Sequence, residues 1–81
     1  MDEKRYRAVV DECMKLAISR NEVYGDSVDC MRLQSMIDLC IMKLSRIRML
    51  GDAHPKTKDE MTDVLNYLVF AIEKFNLGVR N

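Results

Sequence analysis

The sequence predicts an all-α fold, and three observations lead to that prediction: hydrophobic periodicity, glycines at the ends of the periodic segments, and composition. Apolar residues recur at steps of three and four along three segments, which is typical of amphipathic helices, and no segment alternates as a β-strand does. The chain has 81 residues, of which 48% are hydrophobic. This fraction is too high for a disordered chain and large for so short a monomer to bury. We therefore expect a single all-α domain over residues 1–81, a three-helix chain whose helical bundle is completed by oligomerisation.

The first helix is expected over residues 2–22. Its apolar stripe includes Tyr6, Val9 and Cys13, which follow one another at helical spacing. Gly25 lies in the turn that follows and is a natural left-handed cap for the helix.

The second helix is expected over residues 28–50. Asp26 or Ser27 is placed to cap its first turn, and Gly51 is placed to end it. Apolar residues occupy most of its surface, which is typical of a helix at the buried centre of a bundle.

The third helix is expected over residues 58–77. Thr57 and Glu60 have the spacing of a capping box, with Thr57 as the N-cap, Pro55 just outside the helix and Gly78 closing it. The apolar stripe consists of Met61, Val64, Leu65, Leu68, Ile72 and Phe75.

Charge and cysteine content exclude several classes of protein. The 13 basic residues balance 13 acidic ones, so the chain lacks the basic excess of a simple nucleic-acid binder, and we expect no sequence-specific nucleic-acid partner. No apolar run approaches the ~20 residues of a membrane span, and the charged N-terminus does not resemble a signal peptide. The cysteines form no C-x-x-C pair, so packing thiols in a reducing cytoplasm are expected. They are Cys13, Cys30 and Cys40.

Asp38 is a lone carboxylate inside the apolar run of the second helix. A buried carboxylate is costly unless it is paired with a cation. Three interpretations stay open: an ion pair with a basic residue of another helix, a metal or nucleotide site, and simple exposure to solvent.

Two further pairs of charged residues have helical spacing. Glu60 and Asp63 are three residues apart, which places both carboxylates on one side of a helix and suits Mg²⁺, an ion that takes oxygen ligands. Acidic residues are also common in a first helical turn, which accounts for Glu60 better than for Asp63, and not for Asn66. Lys43 and Arg46 share a side of the second helix in the same way. They fit a phosphate clamp, or simply the helix dipole near a C-terminus.

Three motifs carry a resemblance to a known family. They are the Tyr-Gly-Asp-Ser turn at residues 24–27, R-x-x-S-M-x-D followed by K-x-x-R-I within residues 32–47, and D-x-x-N-Y-L at residues 63–68. Over about residues 21–73 the chain resembles the nucleotide modification-associated domain type 1 family, which is common in bacteriophages.

That family is in turn similar to the all-α nucleoside triphosphate pyrophosphatases of the MazG type, whose E-x-x-E and E-x-x-D helices hold Mg²⁺ on the phosphates of the nucleotide. Glu60 and Asp63 match the second motif, whereas Ser35 and Asp38 replace the first. The resemblance therefore implies Mg²⁺ ligands at Asp38, Glu60 and Asp63. One acid is missing, so binding without hydrolysis stays open.

The resemblance implies a nucleotide or nucleoside phosphate as the ligand, with hydrolysis or an accessory role in nucleotide modification. No catalytic residue is assigned. Two alternatives are a protein that only binds and sequesters a nucleotide signal of host defence, and a helical module that inhibits a host protein in the host cytoplasm. The expected ligand-binding residues are Tyr24, Asp26, Ser27, Arg32, Lys43, Arg46 and Asn66.

Overall fold

The computed structural model describes the backbone of residues 1–24 and 27–80 and the side chains of residues 1–20 and 29–78. Its elements are α1 (Glu3–Tyr24), a short 3₁₀ helix (Ser27–Cys30), α2 (Leu33–Leu50) and α3 (Pro55–Arg80). These residues include no strand, and the prediction of an all-α fold is confirmed.

The chain divides into two compact units, residues 1–30 and residues 31–81. The first unit contains α1 and the 3₁₀ helix, and the second is a helical hairpin in which α2 packs against α3. Whether the 81 residues act as one domain, and whether they oligomerise, stay predictions. No helix within residues 1–24 and 27–80 combines the length and the apolar character needed to cross a bilayer.

The first helix begins with a side-chain cap. Oδ1 of Asp2 accepts a hydrogen bond from the backbone N–H of Arg5 at 2.8 Å, which satisfies one of the amides that a helix start leaves unpaired. The helix extends to Tyr24, slightly beyond its predicted end, and Cys13 is buried. The predicted cap at Gly25 lies outside the described residues.

The second helix begins later than predicted. It starts at Leu33 rather than near residue 28, because Ser27–Cys30 forms a separate 3₁₀ helix. Arg32 therefore holds the N-cap position, with extended backbone angles and no side-chain cap, in place of the predicted Asp26 or Ser27. Asp26 and the side chain of Ser27 lie outside the part of the chain that the structure describes.

Burial along α2 is less than its composition suggests. Met36 and Cys40 are its buried residues, whereas Ile41 and Met49 are 57% and 88% exposed. The described side chains of this helix therefore lack the burial on most sides that the sequence predicts. A single exposed apolar residue is ordinary on a protein surface.

Gly51 ends α2, as predicted. Its φ of 84° lies in the region that side chains resist, and its N–H donates to the carbonyl of Ile47 at 3.0 Å. The carbonyl of Gly51 accepts a hydrogen bond from the hydroxyl of Thr57, which is buried. This contact ties the turn to the first part of α3.

The predicted capping box at the start of α3 is wrong. The helix begins at Pro55, whose fixed φ and missing N–H suit a first helical position. Nδ1 of His54 accepts a hydrogen bond from the N–H of Lys56 at 3.1 Å, so His54 supplies the cap. Thr57 lies inside the helix and bonds back to the turn. The carboxylate of Glu60 contacts α2.

The end of α3 also differs from the prediction. Gly78 lies inside the helix, which continues to Arg80, so Gly78 does not close it. Of the predicted apolar stripe, Val64 and Leu65 are half-buried in the hairpin. Its exposed members are Met61, Leu68, Ile72 and Phe75.

Candidate functional site

Four of the predicted site residues meet where α2 packs against α3. Nζ of Lys43 lies 2.9 Å from Oδ2 of Asp63 and 3.2 Å from Oε2 of Glu60. Nη1 of Arg46 lies 3.6 Å from Oε1 of Glu60. We call these four side chains the ion cluster.

Helical spacing and the antiparallel course of the hairpin explain this arrangement. Lys43 and Arg46 are three residues apart on α2, and Glu60 and Asp63 are three apart on α3, so each pair projects from one side of its helix. In the hairpin the earlier residue of one pair contacts the later residue of the other, and Lys43 also reaches Glu60. The cluster has two positive and two negative side chains and is neutral.

Three of the four side chains are shielded from water. The side chains of Lys43 and Glu60 are each 14% exposed and that of Asp63 is 11% exposed, whereas that of Arg46 is 52% exposed. A charge in such surroundings is costly unless an opposite charge lies beside it. Oε2 of Glu60 is buried and accepts no hydrogen bond from the described residues, although it is at ion-pair distance from Lys43. Its charge is compensated through that contact.

The environment of Lys43 favours its charged form. Burial lowers the pKa of Lys43, and its contacts with the carboxylates of Asp63 and Glu60 raise that pKa, with a net result above the ordinary value of 10.5. Lys43 therefore carries its positive charge at neutral pH.

Two buried residues lie beside the cluster. Cys40, about one turn before Lys43 on α2, directs its thiol to the carbonyl of Val64 at 3.9 Å, and burial raises the pKa of that thiol. Asn66, a predicted ligand residue, is buried one turn after Asp63. The sequence identified Cys40 only as a packing thiol, and its nearness to the cluster follows from its spacing to Lys43.

Asp38 does not join the cluster. It is exposed on α2, and Oδ1 accepts a hydrogen bond from Nε2 of Gln34 on the same helix at 3.1 Å. Of the three interpretations offered for Asp38, exposure to solvent matches this position. Within the described residues no group of three or more His, Cys, Asp and Glu side chains is arranged to hold a metal ion. The predicted set of Asp38, Glu60 and Asp63 is therefore not brought together.

The remaining predicted ligand residues lie elsewhere. Arg32 is exposed at the start of α2. The side chains of Tyr24 and Ser27, and the whole of Asp26, lie outside the described part of the chain. Their predicted contacts with a ligand stay predictions.

The fit of Mg²⁺ to the acidic pair depends on Lys43. Mg²⁺ is commonly held by one or two carboxylates together with substrate phosphates, and Glu60 and Asp63 supply such oxygens. The two oxygens Oε2 of Glu60 and Oδ2 of Asp63 already share the ammonium of Lys43. With Lys43 in that position the residues do not fit a resident Mg²⁺.

Comparison with known proteins identifies a family. The family model described as nucleotide modification associated domain 1 matches residues 20–75. No curated protein and no solved structure matches the chain. All four residues of the ion cluster lie within the matched segment.

Proposed function

Because the chain belongs to the nucleotide modification associated domain 1 family, we propose that it binds a nucleotide through its phosphate groups at the ion cluster and acts in nucleotide modification. The observation that carries the proposal is the cluster itself. It concentrates two cations and two carboxylates inside the segment that the family shares. Phosphate recognition in proteins commonly uses arginine and lysine at such places.

Arg46 is the residue that we assign to phosphate. Its side chain is 52% exposed, so a ligand can reach the guanidinium group from solvent. Its contact with Glu60 is long for an ion pair, at 3.6 Å. A guanidinium group can bind two phosphate oxygens at once, which favours Arg46 over a surface lysine. Lys43 adds its positive charge to the cluster and contacts both carboxylates.

Mg²⁺ enters this proposal as a companion of the nucleotide phosphates. Glu60, which contacts Arg46 at 3.6 Å, is the acid of the cluster that lies beside a phosphate bound at Arg46. A cytoplasmic location accompanies the proposal, since nucleotides are abundant there. A phage origin and a relation to MazG-type enzymes stay predictions that the resemblance implies.

A thermal-shift screen tests the proposal. Nucleoside mono-, di- and triphosphates are compared with and without Mg²⁺, and a ligand at 100 times its Kd should add about 2.7 kcal/mol to the free energy of unfolding. Arg46→Gln should weaken the best ligand about tenfold, which is ~1.4 kcal/mol. The control Arg48→Gln removes an exposed arginine of the same helix and should leave the affinity within about twofold, or ~0.4 kcal/mol. If no nucleotide stabilises the protein, the proposal is rejected.

Release of phosphate or pyrophosphate from the best ligand separates hydrolysis from binding alone. The arrangement of Lys43 between the two acids favours binding alone, because it occupies the gap between the carboxylates. Turnover that requires Mg²⁺ and is lost in Asp63→Asn would instead favour a hydrolase.

The exposed apolar stripe of α3 supports a second function, association with another copy of the chain. Its spacing alternates between four and three residues, the pattern of a helical seam between two like helices. Ile72→Glu should convert an oligomer into a monomer in sedimentation equilibrium. Ser45→Glu is the control: it adds the same charge at an exposed position of α2, outside the stripe, and should leave the oligomer intact. A parent chain that is monomeric at all micromolar concentrations contradicts this function. The stripe consists of the exposed residues Met61, Leu68, Ile72 and Phe75 together with the half-buried Leu65.

A further inference from the structure

We infer that Lys43 is the built-in cation of the Glu60–Asp63 pair: its ammonium supplies the counter-charge that a metal ion would otherwise supply, and a divalent-cation site opens there only when that ammonium is removed. This inference concerns the protein without any ligand. It therefore goes beyond nucleotide binding and does not depend on it.

The position of the ammonium is the first argument. Nζ of Lys43 contacts one oxygen of each acid, at 2.9 Å for Asp63 and 3.2 Å for Glu60. A metal bound by both carboxylates needs an oxygen of each of these two groups at about 2.0–2.6 Å, which places it in the space between them. Two positive charges do not share so small a space, because their repulsion grows steeply at short distance and low solvent exposure. The ammonium and the metal ion are therefore alternatives.

The charge balance is the second argument. With Lys43 present, the two basic and two acidic side chains of the cluster cancel. Replacement of Lys43 by an uncharged side chain leaves two carboxylates, both largely buried, with only the partly exposed Arg46 as a cation of the cluster. Oε2 of Glu60 is then deprived of its compensating charge, and it accepts no hydrogen bond from the described residues. Such a pair gains more from a bound cation than the parent pair does.

The chemistry of the oxygens indicates which cations enter. Carboxylates suit hard ions such as Mg²⁺, Ca²⁺ and Mn²⁺. Mn²⁺ is the most useful probe, because its electron paramagnetic resonance signal distinguishes bound from free ion. Water completes its coordination, since the cluster offers only two acids.

The experiment compares the parent with Lys43→Met, which keeps the length and the apolar stem of the side chain but removes its charge. Lys43→Met should bind Mn²⁺ at least about tenfold more tightly than the parent does, which is ~1.4 kcal/mol, and its Tm should rise with Mn²⁺ concentration. Lys43→Arg keeps the cation and should behave as the parent does. The double variant Lys43→Met with Asp63→Asn should lose the response to Mn²⁺, which places the ion at the pair.

Two results overturn the inference. One is a Mn²⁺-dependent rise in the Tm of the parent that disappears in Asp63→Asn, since the parent pair would then bind metal despite Lys43. The other is a folded Lys43→Met variant that binds Mn²⁺ no better than the parent. If Lys43→Met folds only when Mn²⁺ is added, as followed by circular dichroism, the inference is supported, and if Mn²⁺ does not restore its fold, the inference fails. No nucleotide is present in these assays, so their outcome is independent of the nucleotide screen.

Discussion

Lys43 on α2 lies 2.9 Å from Asp63 on α3, and both side chains are largely withdrawn from water. The same ammonium lies 3.2 Å from Glu60, so one lysine compensates two acids of the neighbouring helix. Removing one charge of such a shielded pair costs far more unfolding free energy than removing one charge of a solvent-exposed pair. The stability of the hairpin and the chemistry of the candidate site therefore rest on the same side chains.

Replacement of Lys43 by methionine should lower the free energy of unfolding by about 3 kcal/mol at pH 7, because it removes the cation that two shielded carboxylates share and leaves the longer contact between Glu60 and Arg46. Urea unfolding in metal-free buffer measures the change. Arg48→Met is the matched control, since it removes an exposed cation from the same helix and should change stability by less than about 0.5 kcal/mol. A loss as small as that of the control would mean that water already stabilises the two acids.

The contribution of Lys43 should disappear at high pH. Its pKa is raised above 10.5 in the folded protein, so the stabilisation is fully present below the pKa of the unfolded state and is lost as pH rises through the folded value. The difference in unfolding free energy between the parent and Lys43→Met should therefore be constant at neutral pH and shrink above about pH 10.5. Taking this difference cancels the titration of the other basic and tyrosine side chains. A difference that is unchanged at pH 11 would contradict the assignment.

Local sequence patterns predict a helix end correctly where one unambiguous residue marks it. Gly51 ends α2 because a positive φ is easy for glycine, and the sequence shows that directly. The start of α3 was mispredicted because the Thr57–Glu60 spacing mimics a capping box. In the folded chain Glu60 forms ion pairs with Lys43 and Arg46 across the hairpin. These are tertiary contacts, which a local sequence pattern does not predict.

The candidate site was predictable in its parts but not in its pairing. Helical spacing placed Glu60 beside Asp63, yet which cation faces them depends on the register of the hairpin. The expectation for Asp38 rested on a buried second helix. In the structure Asp38 is exposed on α2, and its carboxylate accepts a hydrogen bond from Gln34 of the same helix.

Thr57→Val should destabilise the hairpin by about 1–2 kcal/mol. The carbonyl of Gly51 then loses the hydrogen bond that it accepts from the hydroxyl of Thr57, a buried residue. Valine keeps the shape of threonine, so the change isolates the hydrogen bond. Thr62→Val is the control: its hydroxyl bonds to the carbonyl of Lys58 within α3 at 2.9 Å, and its loss should change stability by less than about 0.5 kcal/mol. Equal losses of unfolding free energy for the two changes, measured by urea unfolding, would show that the hydrogen bond to the turn stabilises the protein no more than one within α3 does.

The thiols of Cys30 and Cys40 should differ strongly in their rates of alkylation. The thiolate is the reactive form, and for Cys40 burial both raises the pKa and blocks access, whereas Cys30 is exposed. With iodoacetamide at pH 8, Cys30 should be modified first and Cys40 only when the hairpin opens. Tryptic cleavage after Arg32 places the two cysteines in separate peptides, so mass spectrometry follows each rate. In denaturant the two rates should converge, which controls for intrinsic reactivity. Similar rates in the folded protein would mean that α2 and α3 separate on the timescale of labelling, and that the ion cluster does not hold them together.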